Sequence, residues 1–120
     1  MLGDQKPVRK KKRKKHGKSI IQEDWSRCYL CSLEGNHRNA ITLHTHHVIF
    51  GAGRREKSEE DGLTVRLCAK HHEQVHKCGD LRRVLSYTAQ KAWENENRQR
   101  YGDETRQKWI ERYGRSYIMD

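Results

Sequence analysis

Four cysteines and eight histidines in 120 residues carry most of the chemistry open to this chain. Two pairs share one spacing: Cys28-x-x-Cys31 and Cys68-x-x-His71 each leave two residues between their ligands. That spacing lets both members of a pair turn toward one ion. Two such half-sites complete a closed tetrahedral set of three thiolates and one imidazole. These donors suit zinc, which brings no redox chemistry of its own. A redox CxxC would call for a βαβ pattern that the flanking residues lack, and a disulfide framework belongs to an oxidising compartment. A structural Zn²⁺ is therefore the expected cofactor, with Cys78 outside the pattern as a free thiol.

Five more histidines lie close to this framework: His44, His46, His47, His72 and His76, whereas His16 and His37 stand in polar segments. His72 and His76 are four apart, so on a helix they share a face about one turn apart, a spacing with which two imidazoles can bind one metal. His46, from the end of a facing strand, would complete a half-open site that keeps positions for water and substrate. His47 falls on the opposite strand face or at the strand end. An imidazole titrating near neutrality there suits a general base that activates water. Two plainer readings stand beside this one: a second structural zinc site, or surface imidazoles without a role. An all-histidine set favours Zn²⁺, Ni²⁺ or Mn²⁺ over Mg²⁺, and the catalytic divalent ion among these four stays open.

Taken together, Cys28-x-x-Cys31, the His46-His47 doublet, Leu67-Cys68-x-x-His71-His72 and His76 resemble the HNH, or ββα-metal, endonucleases, over residues 28–76. The resemblance implies His46, His72 and His76 as ligands of a catalytic metal and His47 as the base. It also implies structural zinc on Cys28, Cys31, Cys68 and His71, and DNA as the substrate. The implied fold is α+β: a small zinc-stabilised ββα-metal unit at 28–77 with added C-terminal helices at 80–120, whereas residues 1–20, whose lysines repel one another and offer nothing to bury, are expected to form a disordered basic tail.

The run from His46 to Arg55, followed by Ser58-Glu-Glu-Asp-Gly-Leu63, is similar to phage and prophage HNH proteins. Among these it resembles the recombination-enhancement nucleases of the Ref type, which also carry basic N-terminal extensions. This implies DNA nicking or cleavage in recombination, packaging or genome processing. It makes a phage recombination or packaging protein a candidate partner, and the bacterial host cytoplasm the expected location. One departure concerns the Asn that HNH proteins often place just before the leucine of the second strand, where it tethers the loop bearing the base. Here that position is Gly62, and the neighbouring Asp61 is the candidate substitute. A rival of another class is a non-catalytic zinc module that binds nucleic acid.

The elements that must position these groups can be read from periodicity. Residues 40–50 are rich in β-branched and aromatic types and read as a strand. Alternation puts Ile41, Leu43, Thr45 and His47 on one face and Thr42, His44, His46 and Val48 on the other. Gly51 to Gly62 reads as a charged loop whose Arg54, Arg55 and Lys57 could clamp phosphates or simply be solvated. Leu63–Leu67 reads as a second strand and Ala69–Lys77 as the histidine-bearing helix. Asp80 is the expected N-cap of a helix over 81–97, with Leu81, Val84, Leu85, Thr88, Ala92 and Trp93 facing inward. Asp103 is expected to cap a last helix over 104–113, burying Trp109, Ile110 and Tyr113 before Gly114.

Only 32% of the residues are hydrophobic while 35% are charged, so a large apolar core is not available and a metal is the natural supplement. No apolar run is long enough for a membrane span, and Met1-Leu-Gly-Asp4 leads into lysines, so neither a membrane partner nor a secretory signal is expected. The formal net charge of +10 is concentrated in residues 1–19, which hold nine Lys and Arg against Asp4 alone. Within this tail Arg9, Lys10, Lys11, Lys12, Arg13, Lys14 and Lys15 form an unbroken run suited to a sequence-independent grip on nucleic-acid phosphates. A solubilising arm or, in a eukaryote, a nuclear localisation signal would need the same residues. Removing residues 1–19 is expected to weaken DNA binding and flatten its salt dependence. Titrations across a salt series measure this, and an unchanged slope would exclude the tail as a contact.

Overall fold

The computed structural model describes residues 18–36, 42–49, 51 and 53–119. The expected tail, with its run from Arg9 to Lys15, therefore lies outside the described residues, as do His16, His37 and Ile41. Helix α1 (Tyr29–Leu33) precedes strand β1 (Leu43–His47), helix α2 (Arg54–Asp61) and strand β2 (Thr64–Cys68). Helices α3 (Ala69–Lys77) and α4 (Gly79–Tyr101), a 3₁₀ turn (Gly102–Glu104) and helix α5 (Thr105–Tyr113) complete an α+β arrangement. No helix among the described residues is long and apolar enough to cross a membrane.

The two strands pair antiparallel from Leu43↔Cys68 to His47↔Thr64. A lone hairpin is marginal in water and needs cover on a face and an edge. Leu63, Val65, Leu67 and Val75 are fully buried, placing the core between the hairpin and the helices that follow it. The free edge of β2 is covered by the chain just before α1. Ser19 Oγ donates to Thr64 O at 2.6 Å, and Arg66 N donates to Gln22 Oε1 at 2.8 Å. Ile20 N donates to Gly62 O at 2.9 Å, so Ser19 and Ile20 belong to the fold rather than to the tail. Gly62 has φ +75°, and a Cβ there would run into the Lys18 carbonyl oxygen. Glycine is the residue that meets both constraints.

The segment expected as a charged loop is instead a helix over Arg54–Asp61. Its glycines flank good helix formers rather than interrupt them, with Gly53 and Gly62 left-handed at the two ends. Helix α4 starts earlier than expected, with Cys78 at its N-cap. Asp80 lies in the first turn, ion-paired with Arg83, rather than capping. Likewise Asp103 sits in the 3₁₀ turn, and Glu104 takes the N-cap position of α5.

The inward face of α4 is also rotated from the apolar stripe. It buries Leu85, Ser86, Ala89, Gln90, Trp93 and Glu94, and leaves Val84 54% exposed. Gln90 and Glu94 can be buried because they satisfy each other and their neighbours. Gln90 Nε2 donates to Glu94 Oε2 at 2.8 Å, Tyr117 N donates to Gln90 Oε1 at 2.6 Å, and Arg106 pairs with Glu94 at 2.6 Å.

Burial alone would raise the Glu94 carboxyl, but hydrogen bonds from Arg106 and Gln90 outweigh it and hold it below the usual range. A depressed carboxyl contributes stability above its unfolded value and loses it as pH falls through the folded value. Arg106→Ala is expected to destabilise the fold by about 1–3 kcal/mol at neutral pH, since it strands a buried carboxylate whose partner was partly exposed. The deficit should shrink as pH falls through the Glu94 transition in denaturant titrations. A deficit constant with pH would contradict this account.

Candidate metal centres and the His47 groove

The Cys68-x-x-His71 half-site sits where β2 becomes α3. Cys68 ends the strand and is the N-cap of α3, so its side chain and that of His71 in the first turn lie on one side. The other half-site is the mouth of α1, where Cys28 is the N-cap and its sulfur accepts the Cys31 N–H at 3.4 Å. Packing of α1 on β2 brings the halves together. The four ligand atoms lie within 4.8 Å of one another, and all four residues are buried. Cys31 Sγ is 3.9 Å from Cys68 Sγ, and His71 Nδ1 is 3.3–3.4 Å from each sulfur. A zinc tetrahedron with ordinary bond lengths needs about 3.8 Å between sulfurs and about 3.6 Å from sulfur to nitrogen. The cluster can hold a structural metal such as zinc.

Thiols this close suppress one another's ionisation. Burial and the neighbouring sulfurs of Cys28 and Cys68 push Cys31 up to about 12. Burial also acts against the Cys68 thiolate, but hydrogen bonds from His71 prevail and bring it down to about 7. A central dication would reverse the repulsion, because thiolates are the ligating form. Glu34, which the sequence pattern did not single out, accepts from His71 Nε2 at 3.0 Å and so leaves Nδ1 facing the sulfurs.

The hairpin register separates the two adjacent histidines. His44 and His46 share the face turned to α3, while Thr45 and His47 share the other with Thr64 and Arg66. On the α3 side, ligand nitrogens of His46, His72 and His76 lie within 4.8 Å of one another. His72 Nε2 and His76 Nε2 are 3.2 Å apart, and the His46 ring centroid is 5.7 and 5.9 Å from theirs. Burial, then the neighbouring imidazoles of His72, His76 and His47, push His46 down to about 4. His72 is lowered by burial, His76 and His44. Both therefore stay neutral at physiological pH, the form that binds metal. His44, which the spacing argument leaves without a role, stacks on His72 with centroids 4.9 Å apart.

On the opposite face His47 Nε2 meets Glu59 Oε1 at 2.6 Å, in a groove also lined by Gly53, Arg55 and Glu56. Glu59 is invisible to spacing because residues 51–62 read as a loop. On α2 it stands one turn after Arg55 and reaches the imidazole. Asp61, the candidate substitute for the missing Asn, points elsewhere. It accepts from Trp93, Arg112 and Tyr113 at 2.5–3.0 Å. The chain after His47 is tethered by Ser58, whose buried hydroxyl donates to Ile49 O at 2.6 Å, and by Val48 N donating to Leu63 O at 2.9 Å.

The three expected phosphate contacts of this segment also part company. Arg55 is exposed in the His47 groove. Lys57 donates to Arg112 O at 3.1 Å, and the Arg54 guanidinium lies over Gly51 and Gly114.

Stripping zinc with a chelator is expected to abolish the cooperative melt, because a metal on this cluster would cross-link α1 to the β2–α3 junction. Glu34→Gln should lower zinc affinity about tenfold in competition with a chromogenic chelator. A sharp melt surviving in zinc-free protein would overturn the structural role. Compared with family models, with curated proteins and with solved structures, this chain gives no match to any of them.

Proposed function

We propose that the chain is a metal-dependent endonuclease of the HNH type that hydrolyses DNA phosphodiester bonds. The observation that carries this reading is the convergence of His46, His72 and His76 within 4.8 Å, with His47 on the other strand face and bonded to Glu59. Two adjacent histidines thus have different surroundings, as a metal ligand and a base require. A second structural zinc would leave the His47–Glu59 pair without a purpose.

A divalent ion on the three imidazoles would supply Lewis-acid stabilisation of the charge that builds on the phosphate and the leaving 3′ oxygen. Glu59 holds Nε2 of His47, fixing the tautomer and the ring so that Nδ1 takes the proton. His47 removes that proton from water as the water oxygen attacks phosphorus and the bond to the 3′ oxygen breaks. The leaving oxygen then takes a proton from solvent. Arg55, exposed in the same groove, is suited to a bidentate hold on a neighbouring phosphate. A phage or prophage role in recombination, packaging or genome processing, in the cytoplasm of a bacterial host, accords with the resemblance on which this reading also draws.

Plasmid nicking is expected from the wild-type chain in at least one of Mg²⁺, Mn²⁺, Ni²⁺ and Zn²⁺. His47→Ala should lower the rate by about 10²–10⁴, with metal content and DNA affinity unchanged. No cleavage in any of the four metals would sink the enzyme reading. DNA binding that persisted without cleavage would favour a non-catalytic zinc module.

A further inference from the structure

The sheet face that carries His47 continues along β2 to a second polar feature. His47 pairs in register with Thr64, and Thr45 pairs with Arg66, so Arg66 lies two residues along from the His47 row on the same face. Its guanidinium carbon stands 5.3 Å from the centre of the Trp25 ring. Gln22 fixes its backbone through the Arg66 N–H bond.

What sets Arg66 apart is a buried guanidinium nitrogen with no acceptor. Among the described residues Arg27, Arg83, Arg106 and Arg112 each pair with a carboxylate, whereas Arg66, like Arg55 and Arg100, has no ion pair. Its Nε is buried with no hydrogen-bond partner. The one other such atom among the described residues is Thr64 Oγ1, its neighbour on this face. A half-buried guanidinium that has lost solvent at Nε and gained no carboxylate retains uncompensated charge. The face of Trp25 steadies it in one orientation but does not neutralise it. With Nε sealed, the terminal nitrogens of the half-buried side chain are what an anion with hydrogen-bond acceptors would meet.

We propose that Arg66, held over Trp25, binds a phosphodiester of the nucleic-acid strand one or two nucleotides from the bond placed at His47. The inference rests on the nuclease reading for the nature of the ligand. Two residues along a strand span about 6.6 Å, and a duplex strand advances about 3.4 Å per nucleotide. Arg66 is therefore at a separation of about two nucleotides from the phosphate in the His47 groove. Arg55 within the groove and Arg66 beyond it would grip the strand at two points, which sets its direction across the hairpin.

The test uses the full zinc-loaded chain and a fluorescent DNA of random sequence, single-stranded and duplex, titrated over a salt series. Arg66→Ala is expected to weaken binding about three- to tenfold and make the log–log salt slope shallower by about 1, uniformly across sequences. Trp25→Ala should weaken binding less and leave the slope nearly intact. Wild-type affinity and slope in an Arg66→Ala chain that keeps its zinc and its melt would overturn the proposal. If that variant does not fold, the wild-type chain is photocrosslinked to 5-iodouracil DNA. Crosslinks at residues 24–27 would support the subsite, and crosslinks found only elsewhere would overturn it. Loss of binding on mutation in a chain that never cleaves would sink the nuclease reading and keep the subsite. Normal cleavage and binding by Arg66→Ala would do the reverse.

Discussion

The convergence of Cys28, Cys31, Cys68 and His71 is the constraint on which the remaining geometry depends. Three buried sulfurs and an imidazole nitrogen meet where α1, the end of β2 and the first turn of α3 join. Without a cation these groups oppose one another, as the raised Cys31 thiol indicates. With one, they become a cross-link between segments about forty residues apart in the chain. In a chain with so few apolar residues, such a cross-link would replace much of what a larger core would supply. It also fixes the start of α3, and His72 follows His71 directly. The position of the second histidine cluster is thereby tied to the first.

The hairpin then sorts adjacent side chains by the period of two that any strand imposes. His46 is turned toward α3, where burial keeps it neutral beside His72 and His76. His47 is turned away, toward Glu59. One peptide bond thus separates two chemically different environments, with no long loop needed to build either. The same alternation sets Arg66 and Thr64 on the His47 side, which extends that face beyond the groove.

The C-terminal helices act on this arrangement through Asp61. Trp93 of α4 and both Arg112 and Tyr113 of α5 donate to its carboxylate, and Lys57 of α2 donates back to the Arg112 carbonyl. Helix α2 is thereby clamped at its C-terminal end, and Glu59 and Ser58 lie one turn before the clamp. Ser58 holds the chain after His47 while Glu59 holds the imidazole itself. The burial of Trp109 and Tyr113 is the apolar side of the same interface.

Spacing by itself singled out the two side-chain clusters that the fold brings together, both strands to within a few residues and the bounds of α3. Those features depend on local period and on side-chain types that have few other uses: a CxxC, a CxxH, histidines four apart. Tertiary structure decided the rest. Residues 54–61 are a helix because their glycines terminate it rather than break it, and only that helix makes Glu59 a neighbour of His47. The inward face of α4 carries Gln90 and Glu94 because Arg106, Ser116 and Tyr117 satisfy them, and no apolar count anticipates polar groups buried by mutual pairing. Glu34 and Arg66 were invisible for a related reason. A charged residue acquires its role from the partner it meets or lacks across the fold, and that is a property of packing rather than of sequence spacing.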